Sequence, residues 1–187
     1  LRGTRVKNIV RELSGEKIDI VRWSDDIRQY ITQALSPARL TEIEIDPTDP
    51  CIFQLSGGTT GVPKLIPRTH NDYAYNSKIA AQVTGVTGDS VGLLMLPIAH
   101  NLPLACPGVQ GFMFNGAKLV LSNTTRPEEI FPLIEKHRVT HIKVVPALLI
   151  RLIHSDVAAK YDTSSVRYIQ SGGQRLQPET RLRTKEV

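Results

Sequence analysis

The chain has 187 residues, 41% of them hydrophobic and 22% charged, enough for one good-sized core and little more. Its formal charge of +5 is a poor argument for nucleic acid, because residues 1–46 balance eight Lys/Arg against eight Asp/Glu. The surplus falls in residues 47–187, much of it at Arg167, Arg175, Arg181, Arg183 and Lys185, where a solvated helix face explains it. No apolar run approaches the ~20 residues of a membrane span and no charged-then-apolar leader opens the chain, so a cytoplasmic location is expected. Cys51 and Cys106 stand far apart with no Cys-x-x-Cys pattern, which suits reduced thiols better than zinc or a disulfide framework.

Thr4 to Leu13 places Val6, Ile9, Val10 and Leu13 at helical spacing, and Ser14-Gly15 ends the pattern. Ile18 to Val21 alternates like a strand, Ser24 caps a helix with Ile27, Tyr30, Ile31, Ala34 and Leu35 inside, Pro37 stops it, and Thr41 to Ile45 returns as a strand. The words Arg2-Gly3-Thr4-Arg5-Val6, Gly15 to Val21 and Trp23-Ser24 resemble the first KH domain of the bacterial transcription elongation factor NusA. KH domains clamp a nucleic-acid backbone through a Gly-x-x-Gly loop, of which only the last glycine, Gly3, is present, so the resemblance implies at most weak RNA contact through Arg2, Arg5, Lys7 and Arg11. Pro47 and Pro50 suit a junction over residues 47–50, which divides a partial KH-like segment, 1–46, from residues 51–187.

Cys51 to Leu55 and Leu65-Ile66 read as short strands around Ser56-Gly57-Gly58-Thr59-Thr60-Gly61-Val62-Pro63-Lys64. Glycines let backbone N–H groups approach an anion, hydroxyls add donors, and Lys64 adds a mobile positive charge, a combination suited to polyphosphate. The spacing matches neither a Walker A loop nor the dinucleotide fingerprint. It resembles the phosphate loop of the adenylate-forming ligases, and the continuation Ile66-Pro67-Arg68-Thr69-His70-Asn71-Asp72-Tyr73 narrows the resemblance to aryl-acid AMP ligases that activate 2,3-dihydroxybenzoate or salicylate for siderophore assembly.

Asn71 and Asp72 can cap a helix through Tyr75, Ile79, Ala80 and Val83, followed by a strand from Val91 to Leu96. Helix and strand patterns then alternate: Leu102 to Phe114, Lys118 to Leu121, Pro127 to His137, His141 to Val145, Ala147 to His154, and Val166 to Ile169. This is the mark of an α/β layered sheet, whose ligands collect at the carboxyl ends of strands. His137 and His141 have metal-ligand spacing, but a helix-to-strand boundary between them breaks that geometry, and no metal site is expected.

Pro97-Ile98-Ala99-His100-Asn101 closes a strand and opens a helix; a capping Asn and a solvated His are one reading. By resemblance, His100, Asn101 and Cys106 line the acid pocket, Asn101 meeting the ortho hydroxyl and carboxylate side of the ring. Members of the family with Cys at the position of Cys106 usually take salicylate and those with Ser the dihydroxy acid, so salicylate is expected to be preferred. Ser171-Gly172-Gly173-Gln174-Arg175-Leu176 resembles the adenine-binding turn, with Gly172, Gly173, Gln174 and Arg175 against the nucleotide. Ser56, Gly57, Gly58, Thr59, Thr60, Gly61 and Lys64 are expected to hold ATP phosphates shielded by Mg²⁺, and the phosphopantetheine thiol of an aryl carrier protein to accept the acyl group. The family's catalytic Lys, its ribose-binding Asp and its aromatic-Gly-x-(Ser/Thr)-Glu segment have no counterpart here. The chain is therefore expected to be a ligase fragment inactive by itself; an RNA-binding fragment, or a non-functional chimera of the two parts, stays open.

Overall fold

The computed structural model describes residues 44–55 and 64–185. The helices and strands expected within residues 1–43 and the loop 56–63 lie outside the described residues; Glu44 and Ile45, the end of the last strand expected there, carry no regular structure. Every element below belongs to the unit that begins at Asp46.

Strands β1 (Pro50–Leu55) and β2 (Leu65–Thr69) pair antiparallel on either side of the glycine-rich loop. Helix α1 (His70–Val83) follows at once. Its N-cap is Thr69, whose side chain accepts a hydrogen bond from the Asp72 backbone N–H at 3.2 Å, and not Asn71 or Asp72 as the sequence suggested. Gln54 Nε2 donates to the Tyr73 hydroxyl at 3.0 Å, which ties the hairpin to the helix.

A second sheet contains β3 (Val91–Leu94), β4 (Lys118–Leu121), β5 (His141–Val144) and β6 (Tyr168–Ser171), all parallel, in the order β4-β3-β5-β6. The short helices α2 (Asn101–Ala105) and α3 (Gly108–Phe114) lead from β3 to β4, α4 (Pro127–His137) from β4 to β5, and α5 (Pro146–Ile153) with a 3-10 turn (Ala158–Lys160) from β5 to β6. Helix α6 (Pro178–Arg183) follows β6. Because β3 to β4 runs one way across the sheet and β4 to β5 runs back, right-handed crossovers must put their helices on opposite faces. The packing agrees. Leu93, Val120, Ile142 and Val144 meet Ile130, Phe131, Ile134, Leu148, Leu149 and Leu152 of α4 and α5, whereas Leu119 joins Ala81, Val86 and Phe112 on the α1–α3 side.

The α1–α3 face departs from the sequence expectation. Tyr75, Ile79 and Val83 make an apolar stripe, yet Tyr75 is 65% and Val83 72% exposed, and the buried face is Tyr73, Ser77 and Ala81. The cause is close approach: a Cβ on Gly111 of α3 would lie 2.3 Å from the Pro107 Cβ and 3.0 Å from the Ser77 carbonyl oxygen, so only small side chains fit between these helices. The single helix expected from Leu102 to Phe114 is also interrupted at Cys106-Pro107, a cis peptide bond, and Gly108 has a left-handed φ of +50°. Strand β6 starts at Tyr168 rather than Val166, because the backbone N–H of Val166 closes a turn onto Thr163 and pairing with β5 begins at His141 opposite Tyr168.

His141 and His137 fall on separate elements, as the sequence suggests, His137 ending α4 and His141 opening β5. His141 is buried between the Phe112 and Tyr168 rings; Nε2 reaches the Thr84 carbonyl at 2.9 Å and Nδ1 the Thr140 hydroxyl at 2.8 Å. A neutral ring with hydrogen on Nε2 satisfies both contacts. Burial holds the imidazole pKa below its ordinary 6.5, only partly offset by the bond to Thr84. Below that value the unfolded chain binds a proton that the folded chain refuses, so stability is lost as pH falls. Urea unfolding should therefore show a falling midpoint between about pH 6.5 and 5, a window above that of the carboxylates, and His141→Gln should flatten that slope even where it lowers stability overall. An unchanged slope in the variant would assign the acid sensitivity elsewhere.

Candidate functional site

The strand order reverses between β3 and β5, so the segments leaving their carboxyl ends diverge and open a crevice, the usual place for a ligand in an open parallel sheet. Pro97 to Asn101 leaves β3 there, and Val145-Pro146 leaves β5. The Cys106-Pro107 turn and the exit of β6 are joined to the same region by the contacts below.

Asn101 is the first residue of α2, and its Nδ2 donates to Cys106 Sγ at 3.2 Å. Asn76, on α1, donates through Nδ2 to the Ala105 carbonyl at 2.9 Å and to the same sulfur at 3.4 Å. The thiol is thus held by two amides from two helices. Asn101 Oδ1 is buried without a hydrogen-bond partner, an acceptor lacking a donor where polar atoms are normally paired. His100 is exposed at the N-cap of α2 and its side chain makes no capping bond.

From the sheet, Lys143 on β5 donates to the Cys106 carbonyl and to Gln170 Oε1 on β6. The lysine is 3% exposed. Burial pulls its pKa from 10.5 down to about 7. One residue past Gln170, Ser171 Oγ is buried and, like Asn101 Oδ1, has no partner. Gly172 donates its backbone N–H to the Val144 carbonyl at 3.1 Å, and a Cβ there would approach Leu102 of α2 to 3.1 Å, so the glycine lets the β6 exit close against the helix that carries Asn101. Gly173 has φ +86°, a conformation that glycine accepts without strain. Gln174 and Arg175 are exposed beyond it.

The structure therefore brings together Asn101, Cys106 and Gly172 among the residues named from sequence. Lys64 lies exposed just ahead of β2, and Ser56, Gly57, Gly58, Thr59, Thr60 and Gly61 lie outside the described residues. Sequence reasoning passed over Asn76, Lys143 and Gln170. The signal for Lys143 was present: a lysine inside the run His141-Ile142-Lys143-Val144-Val145, where a central parallel strand is normally apolar throughout. Asn76 sits on a helix whose inward face its apolar residues misreport.

A cavity of about 770 Å³ lies elsewhere, between α4, α5, β6 and α6, with Ile134, Leu149, Leu152, Ile169 and Leu176 in its walls. Ser171 and Gln174 also line it. Converging polar groups, not volume, distinguish a site that orients a polar ligand, and these lie at the crevice. Among the described residues no group of three or more His, Cys, Asp and Glu side chains could hold a metal ion, and no helix is long and apolar enough to cross a membrane.

Comparison with known proteins gives a consistent answer. The chain is 45% identical over 167 residues to a salicylyl-CoA synthase / salicylate adenylyltransferase of Streptomyces, an alignment covering 87% of this chain and 30% of that protein. It is 40% identical to the 2,3-dihydroxybenzoate-AMP ligase of Bacillus subtilis, covering 81% of this chain and 28% of the relative. The apo structure of MbtA from Mycobacterium smegmatis superimposes with a TM-score of 0.70 at 42% identity, over 77% of this chain and 26% of that one. The chain thus spans about 30% of the length of the curated relatives it matches. The family model described as AMP-binding enzyme matches residues 4–187, nearly the whole sequence, and the parallel sheet with its crevice at the strand reversal is the fold it implies: the chain belongs to the AMP-binding enzyme family.

Proposed function

We propose that this chain carries the acid pocket and phosphate loop of an aryl-acid adenylating enzyme, one that joins an ortho-hydroxylated aromatic acid to AMP. The observation that carries the proposal is the buried, partnerless Oδ1 of Asn101, set beside the amide-held thiol of Cys106 at the carboxyl end of the sheet. An ortho hydroxyl donates to such an acceptor, and a flat ring suits a crevice flanked by Leu102 and Gly172. Relatives at 40 to 45% identity, a salicylate adenylyltransferase and a 2,3-dihydroxybenzoate-AMP ligase, support the same chemistry.

In this reading the acid's carboxylate attacks the α-phosphorus of ATP and pyrophosphate leaves, so the protein's task is placement and charge neutralisation. Ser56, Gly57, Gly58, Thr59, Thr60, Gly61 and Lys64 hold the β- and γ-phosphates, and Gly172, Gly173, Gln174 and Arg175 receive the adenine, where a left-handed glycine and the unsatisfied Ser171 Oγ leave backbone and hydroxyl open to a base. Mg²⁺, when bound, would neutralise phosphate charge on the nucleotide held by these loop residues. His100 lines the mouth of the pocket. The aryl group then passes to a thiol, that of a carrier-protein phosphopantetheine in a siderophore pathway.

For residues 1–46 the family match from residue 4 onward crosses the 47–50 junction and favours a ligase segment over an appended RNA-binding module. A gel shift with RNA separates the two: retention at moderate salt, abolished by charge reversal at Arg2 and Arg5, would restore the KH reading.

Two substitutions test the site. Lys64→Ala should weaken ATP binding by roughly 10- to 100-fold, the worth of one charge-assisted contact, and leave aryl-acid affinity unchanged in calorimetry; equal losses for both ligands would mean a misfolded loop. Cys106→Ser should shift preference from salicylate toward 2,3-dihydroxybenzoate by about 1–2 kcal/mol, because a hydroxyl pairs with the extra 3-hydroxyl better than a weakly donating thiol does. No shift in the ratio of the two dissociation constants would remove Cys106 from the pocket.

A further inference from the structure

Lys143 is a cation in the wrong place for a structural role. It projects from the central strand β5 toward the α1–α3 side, 3% exposed, and both of its hydrogen bonds go to uncharged acceptors, the Cys106 carbonyl and Gln170 Oε1. The ion pairs among the described residues are Arg68–Asp72, Arg126–Glu129 and Arg138–Asp162, so no carboxylate there compensates it. Of the groups around it, the Cys106 thiol favours the ammonium, but burial outweighs it. His141 lies two residues before it on its own strand with the charge of Arg167 acting on that ring, Tyr168 and Gln170 face it from β6, the Cys106 thiol lies across the α2–α3 turn, and Arg68 of β2, whose charge acts on Cys106, is paired with Asp72 beside Tyr73 of α1. A void of about 10 Å³ bounded by Pro107, Phe112, His141, Lys143, Tyr168 and Gln170 has roughly the room of a single water. A buried charge without an opposite charge is strongly unfavourable, and an apolar chain of similar length fills such a position at less cost.

The missing anion has an evident source. Lys143 holds the carbonyl oxygen of the residue whose sulfur is bound by Asn101, so the ammonium and the amide with the partnerless Oδ1 lie on either side of Cys106. We infer that Lys143 is a specificity-determining residue of the acid pocket, a fixed positive charge whose counter-ion is the carboxylate of the bound aromatic acid. The inference rests on the acid-pocket reading given above. It adds that the pocket selects the ionised acid against neutral molecules of the same shape, and that acid binding is coupled to protonation of the lysine. With the free ammonium's pKa near 7, acid binding above neutrality draws a proton onto Lys143.

The test compares salicylate with salicyl alcohol, which has the same ring and ortho hydroxyl, carries no carboxylate and, like other simple phenols, ionises only near about pH 10, by calorimetry on the 187-residue chain. A charge interaction over several ångströms at the effective dielectric of a protein interior is expected to favour salicylate by on the order of tenfold at about pH 6.5. The ratio should fall to within about twofold in Lys143→Met, and titrations of the unaltered chain in buffers of different ionisation enthalpy near pH 8 should show proton uptake on binding salicylate and none on binding salicyl alcohol. Should Lys143→Met fail to fold, the unaltered chain alone decides, since the preference must shrink as pH is raised from about 6.5 to 8.5, a range in which salicyl alcohol stays neutral. Cys106→Ser must show the same trend, which removes the thiol as its source. If both ligands bind with a ratio indifferent to pH and to Lys143→Met, Lys143 merely pins the Cys106 turn and the inference is overturned while the pocket stands. If neither ligand binds the folded chain, the pocket assignment fails and the inference with it.

Discussion

A parallel strand covered on both faces can carry polar side chains only where its neighbours satisfy them, and β5 is where this chain meets that constraint. Its four residues are all buried. Ile142 and Val144 point to α4 and α5 and complete a dry core with Leu93, Val120, Ile130 and Ile134. His141 and Lys143 point the other way, toward helices held close by Gly111 and Ser77, and each draws its partners from a different element: Thr84 after α1, Cys106 between α2 and α3, Gln170 on β6. One face of the strand builds the core and the other faces the proposed site. The period of two along the backbone separates them with no extra device.

The same arrangement explains why the α2–α3 turn is so heavily anchored. Cys106 is fixed through its sulfur by Asn76 and Asn101 and through its carbonyl by Lys143, so one residue is tied to α1, α2 and the sheet together. A pocket wall built this way is set by side chains whose own positions are fixed, which is how a protein holds a planar ligand to a fraction of an ångström. Asn101 Oδ1 and Ser171 Oγ, buried and without a hydrogen-bond partner among the described residues, are the two polar atoms this arrangement leaves open in the proposed site.

Much of the architecture was legible because local and global signals agree. Lys118–Leu121 and Pro127–His137 are placed to the residue: the first is a short apolar run after a Gly-containing turn, and the second has Pro at its first position, Glu128 and Glu129 in its first turn and Lys136 and His137 in its last. The glycine-rich loop and the Ser171-Gly172-Gly173 turn announce themselves by residues that tolerate unusual backbone. What the sequence concealed is tertiary. The buried face of α1 is chosen by the nearness of α3 and not by hydrophobicity, and the cis bond at Cys106-Pro107 divides a continuous helical pattern in two. Lys143 was hidden for a related reason, since nothing local tells a charged residue on a buried strand from one at an edge.

The central claim is that the crevice at the strand reversal, and not the apolar cavity beside α6, receives the aromatic acid. Titration of salicylate into the isotopically labelled 187-residue chain, followed by backbone and side-chain amide resonances, addresses it directly. The account predicts that the largest shifts fall on the Asn76 and Asn101 side-chain amides and on the backbone of Cys106, Lys143 and Gly172. Shifts centred instead on Ile134, Leu152, Ile169 and Leu176 would place the ligand in the apolar cavity and contradict it.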